Sequence, residues 1–250
     1  MASREQLARQ GTWLYRHRGF LPLILLPLAF LAMSNVPLVG QSYTDDLFWE
    51  LFCLLIALMG VAIRAIAIGY APAGTSGNTR VPRASRLSTS GMYSIVRHPL
   101  YLGNYFAWLG IALFPQSLWL VLVITMVFAA YYGRIAVAEE EFLRSVFGAE
   151  FVQWAANTPA FIPDLRRWRR PAGPFSWPAV LRREYSGLSA IVVCFFALDM
   201  AGETLFYHRI VVDFVWLALL AFVVVLAIGL RSWKHHVDAR VRRASVESLV

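Results

Sequence analysis

The chain has 250 residues, of which 58% are apolar, and carries a formal net charge of +8. With a mean hydropathy of +0.56 and apolar residues gathered into long runs, a soluble globular domain is excluded and a polytopic membrane protein is implied. The cations fall between the apolar runs, where anionic lipid headgroups meet them, which argues against nucleic acid as the partner. Only two cysteines are present, Cys53 and Cys194, both inside apolar runs. That count rules out a disulfide framework or a zinc cluster.

Residues 1–18 hold Arg4, Arg9, Arg16 and Arg18 with Trp13, Leu14 and Tyr15, an interfacial lead on the cytoplasmic side. The first run follows it without a convincing cleavage site, so no signal peptide is expected. A first span is expected over 19–39, an outer turn over 40–46, and a second span over 47–70. Arg64 lies near the inner end of the second span. It either snorkels to the headgroups or faces an anionic group inside the bundle. Residues 71–96 form a loop rich in Gly, Pro, Ser and Thr, with Arg80, Arg83 and Arg86 and no P-loop lysine.

The run Tyr93-Ser94-Ile95-Val96-Arg97-His98-Pro99-Leu100-Tyr101-Leu102-Gly103-Asn104 brings a cation, an imidazole and a helix-starting proline to the edge of an apolar span. A third span is expected over 99–114 and, after a tight turn at 115–117, a fourth over 118–137. The helical pattern continues through 139–147 with Glu139, Glu140 and Glu141. Consecutive helical residues point about 100° apart, so at most two of these glutamates share a direction. Gly148 ends the helix. Residues 149–163 are amphipathic, and Phe161-Ile162-Pro163 is a candidate apolar lid. Arginines and tryptophans alternate from Arg166 to Arg183, an interface signature. A fifth span is expected over 186–207 and a sixth over 210–230. Asp199, Glu203, His208 and Asp213 sit near the outer turn, as a polar cap or a proton or metal site. Of 22 arginines, Arg209 alone falls in a loop assigned outside, so both termini are expected in the cytoplasm.

The polar clusters around residues 97–104 and 139–141 read as two walls of one site at the membrane surface, open to lipid and to a water-soluble partner. Arg97 suits a carboxylate or phosphate. The set Val96-Arg97-His98-Pro99-Leu100-Tyr101-Leu102-Gly103, Glu139-Glu140-x-x-Leu143-x-x-x-Phe147-Gly148 and Phe161-Ile162-Pro163 resembles the integral-membrane methyltransferases. That group includes isoprenylcysteine carboxyl methyltransferase and the phospholipid methyltransferases. The likeness covers roughly residues 50–165.

The resemblance implies S-adenosyl-L-methionine as cofactor, held by Tyr93, His98, Tyr101, Gly103, Asn104, Glu139, Glu140, Phe161, Ile162 and Pro163. It also implies Arg97 at the acceptor. Carboxyl methyltransferases carry a basic run where this chain has Ala155-Ala156-Asn157-Thr158-Pro159. Arg64, Arg80 and Arg134 are candidates to replace the missing cation, with Arg64 and Arg134 joining Arg97 as catalytic candidates.

The expectation is therefore an all-α polytopic membrane bundle of about six transmembrane helices, one membrane domain over 1–250. Within it lie a methyltransferase core at 50–165, a basic interfacial segment at 166–185 and two further spans over 186–232. The latter form a candidate homodimer surface. The expected partner is a lipid or lipidated acceptor (prenylcysteine carboxylate, phospholipid amine or lipid phosphate), with no nucleic acid and no metal. The expected location is a bacterial inner membrane with the site on its cytoplasmic face. The alternatives are an NADPH-dependent reductase of sterol-reductase type and a non-enzymatic transporter or lipid-binding scaffold.

Overall fold

The computed structural model describes residues 4–18, 21–33, 43–71, 86–208, 210 and 212–247. Among them the regular structure is helical throughout: α1 (Arg4–His17), a 3₁₀ turn (Leu21–Leu25), α2 (Leu26–Met33), α3 (Tyr43–Gly69), α4 (Met92–Ile95), α5 (Pro99–Leu113), α6 (Leu118–Phe147), α7 (Ala149–Asn157), a second 3₁₀ turn (Leu165–Arg167), α8 (Trp177–Tyr207) and α9 (Phe214–Glu247). The chain divides into two compact units, 1–175 and 176–250.

Among the described residues, four segments are long and apolar enough to cross a membrane: Asp45–Gly69, Leu118–Phe147, Trp177–Leu205 and Phe214–Ser232. Of the first expected span, 19–39, the described residues 21–33 form a 3₁₀ turn and the short helix α2, and the rest lies outside the described residues. The third, α5, is bounded by Pro99 and Pro115 and has 15 residues. At 1.5 Å per residue that is ~22 Å, short of a ~30 Å hydrocarbon layer. The expected fifth span also starts earlier. Ser176 caps α8 by accepting from Ala179 N at 3.4 Å, so Arg182 and Arg183 lie within the helix.

The first unit is built on α3 packed along α5. Small residues make the seam: a Cβ on Gly110 would lie 2.5 Å from the Cys53 carbonyl oxygen and 2.8 Å from Ala57 Cβ. One on Gly60 would lie 2.6 Å from Ala107 N. Backbones approach this closely only where side chains are absent. Trp49 Nε1 donates to the Leu113 carbonyl at 3.2 Å and pins the far end of the pair. Helix α1 lies against α6. Gly11 abuts the backbone at Arg134, and Tyr131 donates to the Leu14 carbonyl at 3.4 Å.

In the second unit α8 packs on α9, with Phe195 and Trp216 fully buried and stacked at 5.4 Å. Asp213 caps α9 by accepting from Val215 N at 2.6 Å, the role of a polar cap. Asp199 is buried within α8, one turn before Glu203. The alternative reading of these acids as a metal site meets no cluster of three or more ligating side chains among the described residues.

The α3–α5 seam makes a direct prediction. Gly110→Leu forces the two backbones apart and should destabilise the protein by ~1–3 kcal/mol or more. Thermal unfolding in detergent, beside Gly133→Leu at a position with open space around it, measures the difference.

Candidate functional site

Pro99 occupies the first turn of α5 and His98 is its N-cap residue, with extended-to-bridge backbone (φ −123°, ψ 62°). The irregular segment before it is tied to a second irregular segment across the chain. Arg97 N donates to the Pro159 carbonyl at 2.8 Å, and His98 N to that of Ala160 at 3.3 Å. Asp164 N donates to the Ile95 carbonyl at 3.0 Å. Ser94 Oγ donates to the Gly91 carbonyl at 2.7 Å and accepts from Arg169 N at 2.9 Å. The Tyr93 carbonyl accepts from Trp154 Nε1 at 3.0 Å, so an indole on α7 braces this segment. Residues 91–98 thus rest on a strap formed by 159–169.

Helix α6 brings the opposite wall. Its last two turns point Glu139 and Glu140 at the start of α5, while Glu141 is exposed, as the 100° rule requires. Glu140 Oε1 receives two partners, the Arg97 Nη1 cation at 2.8 Å and His98 Nε2 at 3.1 Å. Glu139 Oε2 accepts from Tyr101 Oη at 2.7 Å and lies 3.6 Å from His98 Nδ1. The imidazole is therefore held edge-on by two carboxylates. Its faces are covered as well, by Tyr101 at 5.4 Å and Phe161 at 5.6 Å between centroids. Burial opposes charge on the ring, but the carboxylates of Glu139 and Glu140 outweigh it and hold the His98 pKa above its ordinary 6.5.

A further polar chain runs inward. Arg64 donates to Asn104 Oδ1, and Asn104 Nδ2 donates to Tyr132 Oη at 2.8 Å. Tyr132 packs on Tyr101 at 4.7 Å. On the other side of Arg97 lies an open groove of about 590 Å³, lined by residues 155–159 and 162–164 with Arg167. Arg97 Nε is buried and has no hydrogen-bond partner among the described residues. That leaves an unused donor on a residue shared by the carboxylate cluster and the groove.

Arg97, His98, Tyr101, Glu139, Glu140 and Phe161 meet in one cluster, with Arg64 and Asn104 behind it. Ile162 and Pro163 line the groove instead. Tyr93 is present through its backbone carbonyl. Gly103 takes a different position from the one expected. It faces α3, where a Cβ would meet the Arg64 side chain and the Gly60 carbonyl, so its bareness serves helix packing. Arg134 is also displaced from its expected role. It points to α1, donating to Gln10 Oε1 at 3.1 Å and to the Ala130 carbonyl at 2.7 Å. Five positions before Glu139, it lies well round the helix from the cluster. Arg80, the remaining candidate cation, lies outside the described residues.

Two contributors were missing from the sequence reading. Tyr15 and Arg18, at the end of α1, act electrostatically on Tyr101, and Arg18 on Glu139. Arg18 sits 3.8 Å over the Tyr15 ring. The available signal was the Ala8, Gly11, Tyr15 stripe, at helical spacing on a helix read only as interfacial.

With this geometry in view, the comparisons with known proteins are informative. Residues 49–150 match the phospholipid methyltransferase family model. The cobalt-zinc-cadmium resistance protein CzcN of Cupriavidus metallidurans is 33% identical over 140 residues, 56% of this chain and 61% of that protein. The nickel-cobalt-cadmium resistance protein NccN of Alcaligenes xylosoxydans xylosoxydans is 28% identical over 158 residues, 63% of this chain and 70% of that one. The protein-S-isoprenylcysteine O-methyltransferase of Schizosaccharomyces pombe is 33% identical over 78 residues, 31% of this chain and 33% of the enzyme. The chain thus spans about three fifths of the length of the first of these relatives. No solved structure matches.

The raised His98 pKa has a defined consequence. A group charged more readily when folded stabilises the fold fully below its unfolded value of 6.5, and that contribution fades as pH rises through the folded value. The melting temperature in detergent should fall over that window. His98→Gln, which cannot take a proton, should flatten the slope.

Proposed function

We propose that this protein, whose residues 49–150 match the phospholipid methyltransferase family model, is an integral-membrane methyltransferase that uses S-adenosyl-L-methionine to methylate a lipid-like acceptor. The observation that carries this reading is the cluster of Glu139, Glu140, His98 and Tyr101 at one mouth of the bundle, with Arg97 bridging it to the groove. Two carboxylates beside stacked aromatic rings fit a cationic cofactor with a flat heterocycle. The unused Arg97 Nε fits an anion approaching from the groove side.

In this proposal Glu139 and Glu140 hold the cofactor's positive groups, Tyr101 and Phe161 bound its space, and His98 positions both carboxylates. When bound, S-adenosyl-L-methionine supplies an already activated methyl group on a sulfonium. The protein's part is then largely orientation and exclusion of water. Residues 161–163 cover the cluster through Phe161, and Arg97 orients the acceptor. Since Arg97 and His98 share one oxygen of Glu140, ligand entry requires that sharing to be rearranged. A carboxylate or phosphate acceptor needs no general base, whereas an amine acceptor must first lose its proton.

The acceptor class proposed is a prenylcysteine carboxylate, a phospholipid amine or a lipid phosphate. The site is proposed to face the cytoplasm of a bacterial inner membrane. The arginine distribution along the chain and the two bacterial relatives support that placement.

Two variants test the roles. Glu140→Gln removes a charge-assisted hydrogen bond of ~1.5–3 kcal/mol, so the Kd for S-adenosylhomocysteine by calorimetry should rise roughly 10- to 100-fold. Arg97→Ala should abolish transfer of radiolabelled methyl to a lipid extract and leave that Kd within about threefold of the parent. Absence of any heat with S-adenosylhomocysteine would overturn the cofactor assignment. Turnover that survives Arg97→Ala would place the acceptor elsewhere.

A further inference from the structure

The strap over the site carries a surface of its own. Residues 161–170 read Phe-Ile-Pro-Asp-Leu-Arg-Arg-Trp-Arg-Arg, four arginines against a single aspartate. Its apolar residues stand outwards: Ile162 is 82% exposed, Leu165 73% and Trp168 49%. The guanidinium of Arg167 is committed to Asp164 at 2.7 Å and to the Asn157 carbonyl. Arg166, Arg169 and Arg170 are exposed, and Arg166 also acts electrostatically on Asp164, to which its backbone N–H donates. Apolar tips interleaved with exposed cations in excess over the one aspartate fit neither bulk water nor hydrocarbon.

The depth of this strap follows from the helices. Helix α6 starts after the turn at 115–117, where Gln116 is exposed with φ 53°. About 20 helical residues cross ~30 Å of hydrocarbon, which brings Glu139 and Glu140 to the level of the headgroups. His98 is bonded to those glutamates, and the strap is hydrogen-bonded to residues 91–98 at both of its ends. The strap is thereby brought to the headgroup level too, where its exposed guanidinium groups suit lipid phosphates.

We propose that residues 161–170 form a docking surface for anionic lipid. Arg166, Arg169 and Arg170 engage phosphate-bearing headgroups, while Ile162, Leu165 and Trp168 dip into the interface beneath them. The occupant is the bilayer itself, rich in acidic phospholipid. Phe161 stacks on His98 at one end of the strap, so the lipid contact also steadies the cover of the site. The proposal stands whether or not the chain transfers methyl groups.

The test uses the full-length protein in nanodiscs of phosphatidylcholine containing either brominated phosphatidylglycerol or an equal fraction of brominated phosphatidylcholine. Trp168 quenching is read as the difference between the protein and Trp168→Phe. At low salt the anionic lipid should quench Trp168 at least about threefold more, given the attraction of each cation to an acidic surface. The ratio should fall towards one at high salt, or when Arg166, Arg169 and Arg170 are all replaced by Gln.

Equal quenching by the two lipids at low salt, no quenching by either, or a preference that survives the triple replacement would overturn the proposal. Amide exchange over 161–170 in the unaltered protein serves as a second measurement, independent of whether the variants fold. Slower exchange in anionic than in zwitterionic discs supports the docking surface, and identical exchange rejects it.

Discussion

One carboxylate oxygen holds the first unit's working end together. Glu140 Oε1, near the end of α6, accepts from Arg97 and His98, the two residues that lead into α5. Removing the carboxylate would leave a guanidinium and a protonation-prone imidazole side by side in a poorly hydrated place, which costs far more than the lost bonds. A single acceptor thereby sets where two helices end relative to each other. Glu139 completes the arrangement through Tyr101, so consecutive residues on one helix grip consecutive features of the other.

The small-residue seam between α3 and α5 makes this grip possible. α5 is too short to span a bilayer alone, and it is held along its length by backbone contact with the longer α3. Gly103 and Gly110 face the same partner seven residues apart, two helical turns. The first of them sits under Arg64, which reaches Asn104, the very next residue of α5. Packing and polar bonding therefore converge on the same stretch of α5. Its N-terminus is presented to α6 at a fixed height, despite a helix that would be a poor membrane span by itself.

How much of this could be read in the sequence depends on the range of the interaction involved. Pro99 starts α5 and Gly148 ends α6 by local backbone rules, and both stand where the residues imply. The Glu139 and Glu140 pairing was legible from the 100° step along a helix together with the family-like spacing. Gly103 was legible as a place of close approach, but bareness alone does not say which neighbour needs the room, and α3 supplies the one seen here. Arg134 was misread because proximity along the chain to Glu139 hides an angular offset of more than a quarter turn. Its partner Gln10 lies 124 positions away. The strap over 159–169 escaped as a structural element because its hydrogen bonds follow no period; only Phe161-Ile162-Pro163 announced it.

The number of spans illustrates the same limit from the membrane side. Hydropathy counts apolar runs, but a run becomes a crossing only if one uninterrupted helix fills it. Prolines at 99 and 115 shorten the third run to the 15 residues of α5. That shortfall lies in the unit that carries the candidate site. A fully apolar, full-length α5 would carry its N-terminus beyond the headgroups and away from Glu140. Its 15 residues instead begin at Pro99, so that Arg97 just before them faces the carboxylate cluster on one side and the groove lined by residues 155–159 on the other. The irregularities that spoil a simple span count are thus the features that bring a polar cluster to the edge of an apolar bundle.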